Sequence, residues 1–209
     1  MQGSVCAVGF TYHAWGVLIW VRKGAGIGLQ EVCVDPAGRY VVAKCIRRNC
    51  TLLVVADYCP NYDDSNFYYA LSSQLQQWAD LSQLWGGDLN CVLNTDQDCS
   101  SGPPRRPSRD ARALTEILNQ DGMTEVWAHC CPTTPGYTHY STVHDVHTRI
   151  DYWLCTQQLV PQIQACEVFP RTFSDHSPIL LELDLCMPPP PGFLWQFPPN
   201  FLLDDSGRN

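Results

Sequence analysis

The chain has 209 residues, 45% of them hydrophobic and 16% charged, which is the composition of a folded domain with a sizeable core and not of a disordered segment. With 13 Lys and Arg against 21 Asp and Glu the net charge is -8, which excludes a general polycationic coat for nucleic acid but leaves room for a local basic strip or a carboxylate site that holds a cation. The apolar run near the start, Val17 to Trp20, falls far short of the roughly 20 residues a membrane helix needs, and no basic segment precedes it, so neither a signal peptide nor a membrane anchor is expected.

Four short strands open the chain. Gly16 to Arg22 runs into the Lys23-Gly24-Ala25-Gly26 turn, and Leu29 to Val34, Tyr40 to Ile46 and Thr51 to Ala56 follow, separated by Asp35-Pro36-Ala37-Gly38 and Arg48-Asn49. Strands this close, with no helix to cross over, pair as an antiparallel meander. The period then changes: Phe67, Leu71, Leu75 and Trp78 recur at helical spacing, with Asp64 or Ser65 placed to cap the first turn. A short strand, Gln83 to Trp85, leads into Gly86-Gly87-Asp88-Leu89-Asn90. A polar, proline-rich loop from Ser100 to Ser108 precedes a second helix from about Arg109 to Leu118.

A second antiparallel section comprises Tyr137 to Tyr140, Arg149 to Leu154, Ala165 to Phe169 and Pro178 to Leu185; in the last, Ile179, Leu181, Leu183 and Leu185 face one way and Glu182 and Asp184 the other. Two meanders with helices nearby predict an α/β sandwich of two mainly antiparallel sheets packed face to face, with helices outside. Residues 1–187 form this domain, and the proline-rich stretch 188–209 reads as a linker or tail.

The 12 cysteines include no CxxC pair, so buried reduced thiols are the simpler reading. A zinc site can be written from Cys130, Cys131, His139, His144 and His147, but its spacing matches no standard pattern. Three loops collect polar residues at strand ends: Gly87-Asp88-Leu89-Asn90, Arg149-Ile150-Asp151-Tyr152 and Ser174-Asp175-His176-Ser177. Taken singly, the first reads as a tight turn whose Asp and Asn bond their own backbone, and the last as a surface loop.

In this order, with Tyr58-Cys59-Pro60-Asn61 before them and Tyr137-Thr138-His139-Tyr140-Ser141 between the first two, the segments resemble the successive signatures of the endonuclease/exonuclease/phosphatase superfamily, and in particular the apurinic-like endonuclease domain of non-LTR (LINE-type) retrotransposon polyproteins. The likeness runs from about Gly16 to Trp195. It implies a DNase I-like four-layer sandwich and Mg²⁺-dependent (or Mn²⁺-dependent) hydrolysis of a DNA phosphodiester, and DNA as substrate implies a nuclear location. It also implies the site: His176 on a phosphate oxygen, oriented by Asp151; Asp88 on the attacking water or the leaving group; Asn90 placing phosphate or metal; Tyr58 contacting the phosphate; Asp175 beside the metal. Thr138 and Thr148 flank a hairpin tip, Ser141 to His147, that would project toward DNA. Arg105 and Arg106, with Arg109 and Arg112, form the one marked basic cluster and are candidate phosphate contacts.

The same likeness implies two earlier strands, one bearing an asparagine and one the glutamate that is the main metal ligand, and residues 1–15 contain no Asp or Glu. A metal site without that carboxylate, and weak or no nicking by a truncated, partly decayed copy, are therefore expected. Cys99 and Trp15, where the family has arginine, and Cys59, where it has alanine, are further departures. The alternatives are a non-catalytic remnant and a phosphatase or phospholipid esterase of the same superfamily.

Overall fold

The computed structural model describes residues 3–9, 16–101 and 106–185. In chain order its elements are β1 (Gly3–Gly9), β2 (Gly16–Arg22), β3 (Gly28–Val34), β4 (Tyr40–Arg47), β5 (Cys50–Tyr58), α1 (Ser65–Leu75), β6 (Ser82–Asp88), α2 (Arg109–Gln120), β7 (Met123–Glu125), α3 (Val126–Cys130), β8 (His139–Ser141), β9 (Val146–Thr148), β10 (Asp151–Thr156), β11 (Ile163–Val168) and β12 (Ile179–Leu183). The proposed tail and Arg105 lie outside the described residues.

The centre is a six-stranded sheet in the order β3-β4-β5-β6-β10-β7. Every described pairing in it is antiparallel except β5 with β6, which α1 joins as a crossover. Period-2 alternation gives this sheet two apolar faces. On one, Val42, Leu53, Val55, Trp85, Tyr152 and Leu154 meet Phe67, Tyr68, Leu71 and Leu75 of α1 and Leu114 and Ile117 of α2. Each such side chain, fully buried, contributes about 1.5–3 kcal/mol. Ser108 caps α2, its hydroxyl accepting from Ala111 N at 3.0 Å. Asp64 holds the N-cap position of α1 without a side-chain capping bond; its carbonyl accepts from Phe67 N instead.

On the other face lie two separate hairpins. Val17 and Ile19 of β2 pack on Val41, Ala43 and Ala56, while Cys166, Leu181 and Leu183 of β11 and β12 pack on Leu52, Val54, Leu84 and Cys155. The α/β sandwich is as expected, but among the described residues the second sheet consists of these two pieces. One strand also precedes the expected first: β1 pairs antiparallel with β2 along its whole length, and its small residues (Gly3, Ser4, Ala7, Gly9) give it little strand signal. Of the tight turn read over Gly87-Asp88-Leu89-Asn90, the Asp88 side chain does accept from Asn90 N, but Gly86, Gly87 and Asp88 themselves lie inside β6. A Cβ at Gly86 would lie 2.1 Å from the Trp153 ring, and one at Gly87 would lie 2.0 Å from the Asp57 carbonyl oxygen. Close packing on both faces, not a turn, requires the glycines.

Candidate active site

Sheet register assembles the first part of the site. Tyr58 at the end of β5 pairs with Asp88 at the end of β6, and Asp88 pairs with Asp151 at the start of β10. Paired residues share a face, so three side chains from segments far apart in sequence form one row on the hairpin side of the sheet. Asn90, two residues past the end of β6, takes a left-handed backbone (φ 48°), a conformation asparagine tolerates well. Its N–H donates to Asp88 Oδ1 at 2.9 Å and its side-chain Nδ2 donates to the Cys59 carbonyl at 2.8 Å, tying the β6 exit to the segment after Tyr58.

The Ser174–Ser177 loop supplies the rest. It docks beside β8 through Tyr140 N to the Asp175 carbonyl at 3.2 Å and Ser177 N to the Thr138 carbonyl at 2.6 Å. His176 Nδ1 then lies 2.9 Å from Asp151 Oδ2, and Nε2 lies 4.0 Å from Asp88 Oδ2. With a carboxylate on Nδ1, that nitrogen is the donor and the imidazole plane is held. Asp175 is the outermost member, its side chain 68% exposed.

The charges interact strongly. Burial, reinforced by the Asp151 carboxylate and opposed by the Asn90 N–H, pushes the Asp88 carboxyl up to about 6. The hydrogen bond to Asp151 raises His176, with burial opposing. Burial raises Tyr58, as does the Asp88 charge, while the Asn90 side-chain hydrogen bond lowers it. Asp175 is held low by its own backbone N–H, with burial opposing and the His176 charge adding to the lowering. Two groups of possible ligand atoms result, each within 4.8 Å: Asp88, Asp151 and His176, and His139, Asp175 and His176. Among the described residues neither group contains a glutamate.

The six residues named from sequence thus gather at one end of the sheet. The outer candidates divide. Thr138, expected at the DNA, is buried; its hydroxyl accepts from Ile150 N and Asp151 N at 3.2 and 3.1 Å, which makes it an internal brace for the Asp151 strand. Thr148 is half-buried on β9, its Oγ1 3.3 Å from His139 Nδ1, and it lines a cleft of about 670 Å³ with Cys99, Ser101, Ser141 and His144. Arg106 is exposed in the loop before α2. The five-residue zinc grouping does not assemble, because Cys130 and Cys131 end α3 while His139 lies with Asp175 and His176.

Two residues of the site escaped the sequence reading. His139 was read only within that grouping, although its place inside the Thr138–Ser141 motif was a signal; its ring centroid is 4.9 Å from that of His176. Asp57 was read as lying just beyond a strand that in fact continues to Tyr58. Arg149 is a framework residue: it is buried, paired with Asp98 at 2.8 Å and Glu125 at 2.7 Å, with its guanidinium 4.6 Å from the centre of the Tyr152 ring.

Comparison with known proteins accords with this geometry. The chain is 29% identical over 147 residues to the Transposon TX1 uncharacterized 149 kDa protein of Xenopus laevis; the match takes in 68% of the chain but only 11% of that protein's length. Its fold is similar to the crystal structure of AP endonuclease LMAP from Leishmania major, with TM-score 0.73 and 14% identity, covering 87% of the chain and 70% of LMAP. It is likewise similar to the endonuclease domain of TRAS1, a telomere-specific non-LTR retrotransposon, with TM-score 0.64 and 15% identity, covering 88% and 81%. Residues 7–176, which span Tyr58, Asp88, Asp151 and His176, match the profile of one family, and the chain belongs to it: the endonuclease/exonuclease/phosphatase family.

Proposed function

We propose that this chain hydrolyses DNA phosphodiesters, nicking the duplex with the help of a hard divalent cation, Mg²⁺ or Mn²⁺. The observation that carries the reading is the convergence of Tyr58, Asp88, Asn90, Asp151 and His176 on one sheet end, with His176 oriented by Asp151 at 2.9 Å. The likeness to a retrotransposon endonuclease domain and to an AP endonuclease supports DNA as the substrate class.

The donor set suits such a cation. Burial, with repulsion from the Asp151 carboxylate, leaves Asp88 titrating near 6, a crowding of acidic groups on one face that an oxygen-seeking cation relieves. Asn90 and Asp175 would hold it beside Asp88; when bound, it offsets charge on the phosphoryl oxygens and the leaving alkoxide. Protonated His176 donates from Nδ1 to Asp151 and from Nε2 to a phosphoryl oxygen. Asp88, ionised above about pH 6, orients the attacking water and takes its proton. Tyr58 hydrogen-bonds the phosphate at the other end of the row. Neither ligand group contains a glutamate among the described residues, and on this reading weak metal binding and slow turnover are the expected outcome.

Incubating supercoiled plasmid with the purified chain in millimolar Mg²⁺ or Mn²⁺ tests this. Slow conversion to the open circle is expected, falling about 100- to 1,000-fold in His176→Ala. Wild-type chain that leaves the plasmid supercoiled in both metals would favour a non-catalytic role.

A further inference from the structure

The second ligand group has a chemistry of its own. Strand β8 bridges the Ser174–Ser177 loop at His139 and His176, so their rings lie side by side with an interplanar angle of 52°. His139 Nε2 points toward Asp175 Oδ2, 3.8 Å away. Each ring has its Nδ1 on an oxygen: His176 on Asp151 Oδ2 at 2.9 Å and His139 on Thr148 Oγ1 at 3.3 Å. When both Nδ1 atoms donate, both Nε2 atoms carry lone pairs, and one ring nitrogen of each histidine lies within 4.8 Å of the other's and of an Asp175 oxygen.

Two imidazole nitrogens, one carboxylate and an oxygen partner behind each imidazole form a donor set for a borderline cation rather than a hard one. Hard cations prefer the all-oxygen donors of Asp88 and Asn90. The geometry points to a binding site for a divalent cation of the zinc class at His139, Asp175 and His176. Tetrahedral zinc sets its ligand atoms ~3.3 Å apart, and the three atoms here lie within 4.8 Å of one another. The Asp175 side chain, 68% exposed, has room to move toward an ion by a rotamer change, and a cleft lined by His139 and Thr148 opens beside the group. Such an ion takes the same Nε2 that the hydrolytic reading assigns to the phosphate, so occupancy silences the centre. That consequence rests on the hydrolytic reading; the site itself does not.

Cobalt(II) titration of the full chain, without DNA, reads the site directly. The wild type is expected to give the intense visible bands of four- or five-coordinate cobalt, without thiolate charge-transfer bands, and Zn²⁺ should bleach them. His139→Phe, which keeps an aromatic ring at the position, should abolish the bands while leaving the far-ultraviolet circular dichroism unchanged. Thr148→Val, which removes only the oxygen behind His139, should weaken Zn²⁺ binding about 10- to 100-fold. Wild-type chain showing only the faint six-coordinate spectrum overturns the proposal. So do bands that persist in His139→Phe, or thiolate charge-transfer bands, which would put the metal on cysteine. A plasmid that stays intact in Mg²⁺ would remove the hydrolytic reading and leave this result standing.

Discussion

Asp57 precedes Tyr58, yet alternation along β5 puts its side chain on the helix side of the sheet, with Leu53 and Val55. Both carboxyl oxygens are buried and have no hydrogen-bond partner among the described residues. Burial first, then the charges of Asp88 and Asp151, push this carboxyl from 3.8 up to about 7. The unfolded chain releases the proton near 3.8 and the folded chain holds it until about 7, so the folded state binds more protons between those values. Stability therefore falls as pH rises through that window, by on the order of 4 kcal/mol, and stays reduced above it. Asp57→Asn should flatten this part of the curve, gaining most over the wild type at pH 8 and little at pH 4. Urea midpoints for both proteins at the two pH values, in the absence of divalent cations, check it; equal gains at both would mean that Asp57 is ionised throughout. The neighbouring histidines show how far side-chain chemistry departs from residue type: the Asp151 hydrogen bond raises His176, while burial, with the His176 charge, lowers His139.

Among the elements, those with local causes were legible in sequence: α2, placed directly after the polar Ser100–Ser108 loop, and β4 and β5 from apolar runs between turn residues. Strand β7 and helix α3 were not, because three and five residues carry no period. What holds them is long-range. Glu125 accepts from Trp127 N and Ala128 N at 2.9 and 2.8 Å, capping α3, while pairing with Arg149 at 2.7 Å. Arg149 also donates to Asp98, whose other oxygen accepts from Asn94 N at 3.0 Å. One buried guanidinium thus ties β7, α3 and the Asn94–Asp98 turn to the entry of β10, two residues before Asp151. Removing one member of a buried ion network leaves its partners charged and unpaired. Arg149→Met should cost about 3–5 kcal/mol, seen as a lower urea midpoint, and should loosen Asp151 with it. Arg149→Lys, which keeps the charge but not the fork, should recover only part of the loss. A wild-type midpoint in Arg149→Met would show that the network adds nothing to stability.

For the whole molecule, pattern conveyed the layering, because a sheet with two apolar faces and short hairpins admits few arrangements. It could not convey that the hairpin layer comes in two pieces, since a gap between hairpins leaves no mark on either one's periodicity. Charge works at this scale too. A net charge of -8 repels a polyanion, so on the proposed reading DNA is held by few local contacts. The loop before α2 is the natural place: its start is hooked to β9 through Ser100 N to the His147 carbonyl at 2.9 Å and His147 N to Ser100 Oγ at 2.8 Å, and exposed Arg106 in the loop and Arg109 at the start of α2 follow nearby in sequence. Each phosphate contact adds about 0.9 to the slope of log affinity against log salt. Anisotropy titrations of a labelled duplex with the His176→Ala chain, at several salt concentrations, should give a shallow slope, about 2 to 3. Adding Arg106→Ala and Arg109→Ala should lower it by nearly 1 each, with similar losses on unrelated sequences, because phosphate contacts carry no base information. A slope untouched by both changes would move the DNA contact away from this loop, leaving Arg171, 4.5 Å over the Tyr140 ring, as the nearer cation to His139 and the cleft.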